Sequence, residues 1–129
     1  MTDRSGPDDA GPITPQRALA VYGTLAPGES NHDVVAGIGG AWVPIAIRGH
    51  RFTARWRDTP GYPGFTPDPA GPIVEALALV ADDLTGHWDR LDGFEGPGYR
   101  RVEIDVFEPG GNRAVGRACV YQTLPDFWD

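Results

Sequence analysis

The run from Ile73 to Val80 is apolar at every position except Glu75. It fits a central strand buried on both faces, and the remaining elements have to be read as what surrounds it. Tyr99 to Phe107 alternates, with Val102, Ile104 and Val106 on one face and Arg101, Glu103 and Asp105 on the other. Pro109-Gly110-Gly111-Asn112 then turns the chain into a strand from Arg113 to Tyr121, which makes a hairpin. Arg17 to Tyr22 is the first strand. Ala41 to Trp56 is rich in strand formers, broken once at Arg48-Gly49-His50, and reads as two strands or as one long bent strand with a bulge at Gly49. Asp58 to Pro72, studded with Pro and Gly, reads as a loop.

Two short helices complete the pattern. One has Ser30 as N-cap and runs through about Ala36, carrying Val34 and Val35, until Gly37, Gly39 and Gly40 stop it. The other is capped by Asp82 or Asp83, places Leu84, Trp88 and Leu91 at the i, i+4, i+7 spacing of one buried face, and stops near Gly93. Several strands with only two short helices argue for a mixed α/β domain of the α+β kind, whose sheet curls into a barrel-like form. Periodicity leaves the strand order open.

The chain has 129 residues, enough for one domain, placed at residues 17–129 behind a polar tail at 1–16 rich in Pro, Gly and Asp. A formal charge of −7 with scattered basic residues argues against nucleic acid as a partner. No apolar run is long enough to cross a bilayer and the first residues lack the apolar core of a signal peptide, so no membrane partner and a cytoplasmic location are expected. The single cysteine, Cys119, rules out an internal disulfide and lies in a strand pattern where a buried, inert thiol is expected. At the C-terminus, Phe127 and Trp128 either pack on the body or fray.

Chemistry is concentrated in two segments. In Val21-Tyr22-Gly23-Thr24-Leu25-Ala26-Pro27-Gly28-Glu29-Ser30-Asn31, an apolar strand ends abruptly in a glycine and a loop, where backbone N–H groups can approach an anion closely. Leu91-Asp92-Gly93-Phe94-Glu95-Gly96-Pro97-Gly98-Tyr99-Arg100-Arg101 sets a carboxylate on a short loop between a helix and a strand. Other groupings are weaker. Ser30, His32 and Asp33 are too crowded for the relay geometry of a hydrolase triad. His32, His50 and His87 are dispersed, with no CxxC or HExxH beside them, so no metal site is expected. Asp92 and Glu95 would suggest a glycosidase pair, but Asp92 reads more simply as a capping or surface residue.

Together, YGTLxPGxxN and LDGFEGPGYRR resemble the gamma-glutamylcyclotransferase-like family of small enzymes, over about Ala18 to Tyr121. Glu75 stands near a point where that family usually shows a glycine. The resemblance implies the same curled fold and a reaction in which the alpha-amino group of a gamma-glutamyl amide attacks its own gamma-carbonyl, closes 5-oxoproline and expels an amine or amino acid. No cofactor is needed, because the substrate brings the nucleophile. The resemblance places Glu95 as the general acid/base, with Tyr22, Gly23, Thr24, Leu25 and Tyr99 binding the substrate: N–H groups of Gly23, Thr24 and Leu25 toward its carboxylate or oxyanion, Tyr22 as a wall, and Tyr99 lining the site or holding Glu95. Arg101 is read as a structural ion-pair partner. Trp56, Tyr62 and Phe65 are either core residues or the side that meets the leaving group. The expected partner is a small gamma-glutamyl substrate, met by a monomer or homodimer. A non-catalytic small-ligand or interaction protein of the same fold, and an acyltransferase or amide hydrolase using the same site, are the alternatives.

Overall fold

The structure is a computed structural model that describes residues 13–23, 25, 27–29, 32–56, 59–96 and 98–124, with the side chains of 53–63 outside the description. In chain order the elements are β1 (Ala18–Val21), α1 (Asp33–Ala36), β2 (Ala41–Trp56), β3 (Thr59–Pro67), β4 (Ile73–Val80), a 3₁₀ segment (Asp82–His87), α2 (Trp88–Glu95), β5 (Tyr99–Phe107) and β6 (Ala114–Thr123).

The apolar run is indeed central. β4 lies between β2 and β1, antiparallel to both, in a sheet ordered β3-β2-β4-β1-β6-β5. A further pairing of β2 with β5, at Ala46 and Phe107, closes β2, β4, β1, β6 and β5 into a five-stranded barrel. β1 and β6 run parallel, with Leu19 beside Cys119, whereas β5 and β6 form the expected antiparallel hairpin. The fold is therefore mixed α+β with a barrel-like sheet, as the pattern of elements predicts.

Alternation along the strands sorts the core into two clusters. Ala18, Ala20, Ile45, Ile47, Ala78, Val80, Val106, Ala118 and Val120 face one another inside the barrel, with Val102 and Ile104 packed against them. Leu19, Val21, Leu79, Cys119 and Tyr121 face outward and are covered by Val35 and Ile38 around α1 and by Leu84, Trp88 and Leu91. Burial of each such aliphatic side chain contributes about 1.5–3 kcal/mol, and this second cluster fixes α2 against the barrel wall. Glu75, the polar exception in β4, is exposed, and its carboxylate accepts the Gly110 N–H at 3.1 Å.

Several expectations are corrected. Residues 59–67 are a strand, not a loop: β3 pairs with β2 from Gly49 to Trp56, beyond the barrel. Prolines are tolerated there because β3 is an edge strand, where a missing N–H breaks no second ladder. Ala41 to Trp56 is one strand; at Gly49 it changes partner from β4 to β3, and the register irregularity falls between Ala54 and Arg55. The tail cannot reach residue 16, because Ile13 is 6% exposed in the core, bridges Gly116 and accepts the Arg117 N–H at 3.1 Å. The Pro15 carbonyl also accepts the Cys119 thiol at 3.2 Å. Neither Asp82 nor Asp83 caps a helix through its side chain; Asp82 instead pairs with Arg17 at 2.8 Å. α2 continues past Gly93 to Glu95. His32, not Ser30, occupies the N-cap position of α1. Ser30, Phe127, Trp128 and residues 1–12 lie outside the described residues.

Candidate active site

The two motif segments converge at one end of the barrel. Tyr22 follows directly on β1 and packs against the barrel interior, its ring 5.3 Å from that of Phe65. Its hydroxyl donates to the Tyr121 carbonyl at 2.7 Å, joining positions 99 residues apart in sequence. Gly23 is half-buried in a bend after the strand. The Leu25 side chain is buried in the outward-facing cluster, and its carbonyl accepts from His32 Nδ1 at 2.9 Å. Thr24 lies outside the described residues.

Glu95 is the last residue of α2, not a loop residue. Gly96 follows with φ +78°, a left-handed conformation that lets the backbone leave the helix at once. The Glu95 side chain is half-buried, and among the described residues no hydrogen bond or ion pair engages its carboxylate. Burial pushes its acid up from an ordinary 4.5 to about 7. Its charge reaches both Tyr22 and Tyr121. Tyr22 is held well above the usual phenol range, first by burial and then by the negative charges of Tyr99 and Glu95, with Arg51 pulling the other way. Tyr121 is raised likewise, by burial and then by Asp92 and Glu95.

Tyr99, at the start of β5, packs against the outward-facing cluster and bears electrostatically on Tyr22. Arg51 lies directly across from Phe65 in the β2–β3 pair, which puts the two side chains on one face. Phe65 is fully buried in the core cluster, with the Tyr22 ring packed against it, so of its two readings the core one holds. The side chains of Trp56 and Tyr62 are outside the description.

The Asp92 side chain is held in a structural network. It accepts the Tyr121 hydroxyl at 2.7 Å and pairs with Arg101 Nε at 3.1 Å. The Arg101 guanidinium lies over the Trp88 ring, 4.4 Å from its centroid, so the structural reading of Arg101 holds. Tyr121 is the residue the sequence reading missed. The signal was a tyrosine in a buried strand, whose hydroxyl must find a partner once the ring is covered.

Of the rival groupings, Ser30 lies outside the described residues, and the three histidines have separate partners. His32 faces the Leu25 carbonyl and Trp42, His50 pairs with Asp68, and His87 contacts Arg90. Among the described residues no three His, Cys, Asp or Glu side chains are grouped to hold a metal ion, and no helix is long and apolar enough to cross a membrane.

Comparison with known proteins agrees with the fold. No curated protein matches the chain significantly. Solved structures with the same fold include an AIG2-like protein from Mus musculus, 24% identical over 86% of this chain and 81% of that one, with a TM-score of 0.53. A protein of Arabidopsis thaliana solved in solution is 20% identical, over 88% of this chain and 74% of that one, with a TM-score of 0.59. An uncharacterised protein from Pyrococcus horikoshii is 21% identical, over 83% and 77%, with a TM-score of 0.51. The sequence model of one family, described as gamma-glutamyl cyclotransferase, AIG2-like, matches residues 19–126 and so takes in both motif segments and all of the barrel but Ala18; the chain belongs to that family.

Proposed function

We propose that this protein is a cofactor-independent gamma-glutamyl cyclotransferase that converts a gamma-glutamyl amine, peptide or other gamma-glutamylated metabolite into 5-oxoproline and a free amine, with Glu95 carrying the proton. The observation that carries this reading is the state of Glu95. It is a half-buried carboxylate with no hydrogen-bond or ion-pair partner among the described residues, its acid range moved to about 7, and its charge felt by Tyr22 of the other motif segment. A structural carboxylate, such as Asp92, is paired; a proton carrier works best with its acid range near the operating pH.

In the proposed reaction, Glu95 takes a proton from the substrate's alpha-ammonium. The freed amine attacks the gamma-carbonyl, forming the ring C–N bond and leaving the ring nitrogen cationic; the original amide C–N bond then breaks as Glu95 returns its proton to the departing nitrogen, and the second proton shed by the ring nitrogen ends on the released amine as its ammonium. No atom changes oxidation state, so the reaction needs no redox partner. Holding amine and carbonyl together is the chief demand. Backbone N–H groups from Gly23 to Leu25 would bind the substrate carboxylate or the oxyanion, Tyr22 would wall the site with Phe65 packed behind it, and Tyr99 would line it.

The test is incubation with a panel of gamma-glutamyl amines, gamma-glutamyl amino acids and gamma-glutamylated natural products, read by mass spectrometry for 5-oxoproline. Wild type should release it from at least one member, and Glu95→Gln should abolish that release. A Glu95→Gln variant with full turnover removes the proposal, and tight binding with unchanged ligand would favour a non-catalytic binding protein.

A further inference from the structure

Among the described residues no hydrogen-bond or ion-pair partner holds the Glu95 carboxylate, so its place is set by the helix it ends, and α2 is only eight residues long. Its buried side is fixed by Trp88 and Leu91. Asp92 lies three residues before Glu95, where side chains share a helix face, and it is the anchored group nearest to Glu95 on that element. One of its two anchors is the Tyr121 hydroxyl, while the backbone carbonyl of the same Tyr121 takes the Tyr22 hydroxyl. Both bonds are 2.7 Å, and Tyr121 is 5% exposed.

We propose that Tyr121 is a positioning residue that sets the separation between the Tyr22 segment and the Glu95 end of α2, gripping the first through its carbonyl and the second through its hydroxyl and Asp92. Because the two grips belong to one residue of β6, they cannot drift independently, and the two motif segments move as a unit. Arg101, braced on Trp88, supplies the second anchor to Asp92 from β5. The phenol is buried beside a carboxylate, which keeps it a neutral O–H donor. Among the described residues, the titratable groups of this network are Asp92 on the helix of Glu95, Tyr22 from the β1 end, Arg51 from β2, Tyr99 and Arg101 from β5, and Tyr121 from β6, and the Glu95 charge bears on Tyr22 and Tyr121. If the last turn of α2 is released, water reaches Glu95 and its acid range drops toward that of an ordinary glutamate.

The kinetic part of this assignment rests on the cyclotransferase reading; the titration part does not. The experiment follows the Glu95 carboxyl by ¹³C NMR in the glutamate-labelled full chain, identified by its loss in Glu95→Gln. It compares wild type with Tyr121→Phe, which keeps ring and carbonyl, and with Asp92→Asn, which keeps an acceptor but removes the charge. In each variant the Glu95 midpoint should fall by about one pH unit. The double variant should fall short of the sum, because the two residues form one arm. On the best substrate of the panel, kcat should drop roughly ten- to hundredfold with KM within about threefold. An unchanged midpoint in Tyr121→Phe and Asp92→Asn overturns the proposal whatever the kinetics. A shifted midpoint with no turnover on any gamma-glutamyl compound upholds the positioning role and removes the cyclotransferase reading instead.

Discussion

Thr123 Oγ1 accepts the backbone N–H of Phe65 at 3.1 Å, with both residues wholly out of contact with solvent. This bond fastens the β2–β3 hairpin, which extends past the barrel, onto β6. The Thr123 hydroxyl also hydrogen-bonds Tyr22, so one side chain supports the hairpin and the site together. Thr123→Val keeps the shape of the side chain but leaves the Phe65 N–H without its acceptor where water cannot replace it. It should lose about 1–3 kcal/mol in urea unfolding, whereas Thr123→Ser should stay within about 1.5 kcal/mol of wild type. Equal stability of the Val variant and wild type would mean that the hairpin is held elsewhere.

Gly49 marks the point where β2 leaves β4 for β3. It is buried, and a methyl group added there would run into the Thr66 carbonyl and come 2.5 Å from the Phe65 ring. The carbonyl belongs to a paired strand and cannot swing aside, so Gly49→Ala forces the hairpin off its register. The expected loss is about 1–3 kcal/mol, read as a fall in Tm. Gly93→Ala is the control, since an added methyl there meets nothing within 4 Å; it should be neutral or slightly stabilising, helix propensity favouring alanine by about 1 kcal/mol.

Leu91 couples stability to the site. It is 0% exposed on the inner face of α2, one turn before Glu95. Leu91→Ala should lose about 2–5 kcal/mol in denaturant unfolding. If the helix settles into the vacated space it carries Glu95 with it, so residual cyclotransferase activity should fall further than the folded fraction does, which a parallel measurement of folded protein and kcat separates.

What the sequence made legible follows from which forces act locally. The β5–β6 hairpin and β4 were readable because alternation and a continuous apolar run report directly on which faces are covered. β3 was hidden because its prolines resemble punctuation; only the tertiary fact that it is an edge makes them harmless. Glu95 was identifiable as a residue but not as a helix end, since the glycines around it look like a break and Gly96 alone makes the left-handed exit. The Asp92–Tyr121 contact spans 29 residues and involves one motif residue and one outside the motifs. No periodicity encodes such a pair; it exists only once the barrel has brought β6 beneath α2.

Glu95 also makes a prediction about stability that needs no substrate. Its acid range is raised by burial from 4.5 to about 7 in the folded chain, so between those values the folded state holds more protons than the unfolded state. Stability therefore falls as pH rises through that window, and the penalty for the buried charge is complete above pH 7. Glu95→Gln cannot carry the charge. It should match wild type near pH 4 and exceed it at pH 8 by roughly 1–3 kcal/mol, part of the full effect being lost to the solvent that still reaches a half-buried group. Urea unfolding of both proteins at the two pH values measures the difference. Under the cyclotransferase reading, the same ionisation makes wild-type kcat/KM rise with a midpoint near 7, so the stabilised variant should be the inactive one. A difference that is absent at pH 8, or present equally at pH 4, would mean that Glu95 is solvated like any surface acid, and the proton-carrier role would go with it.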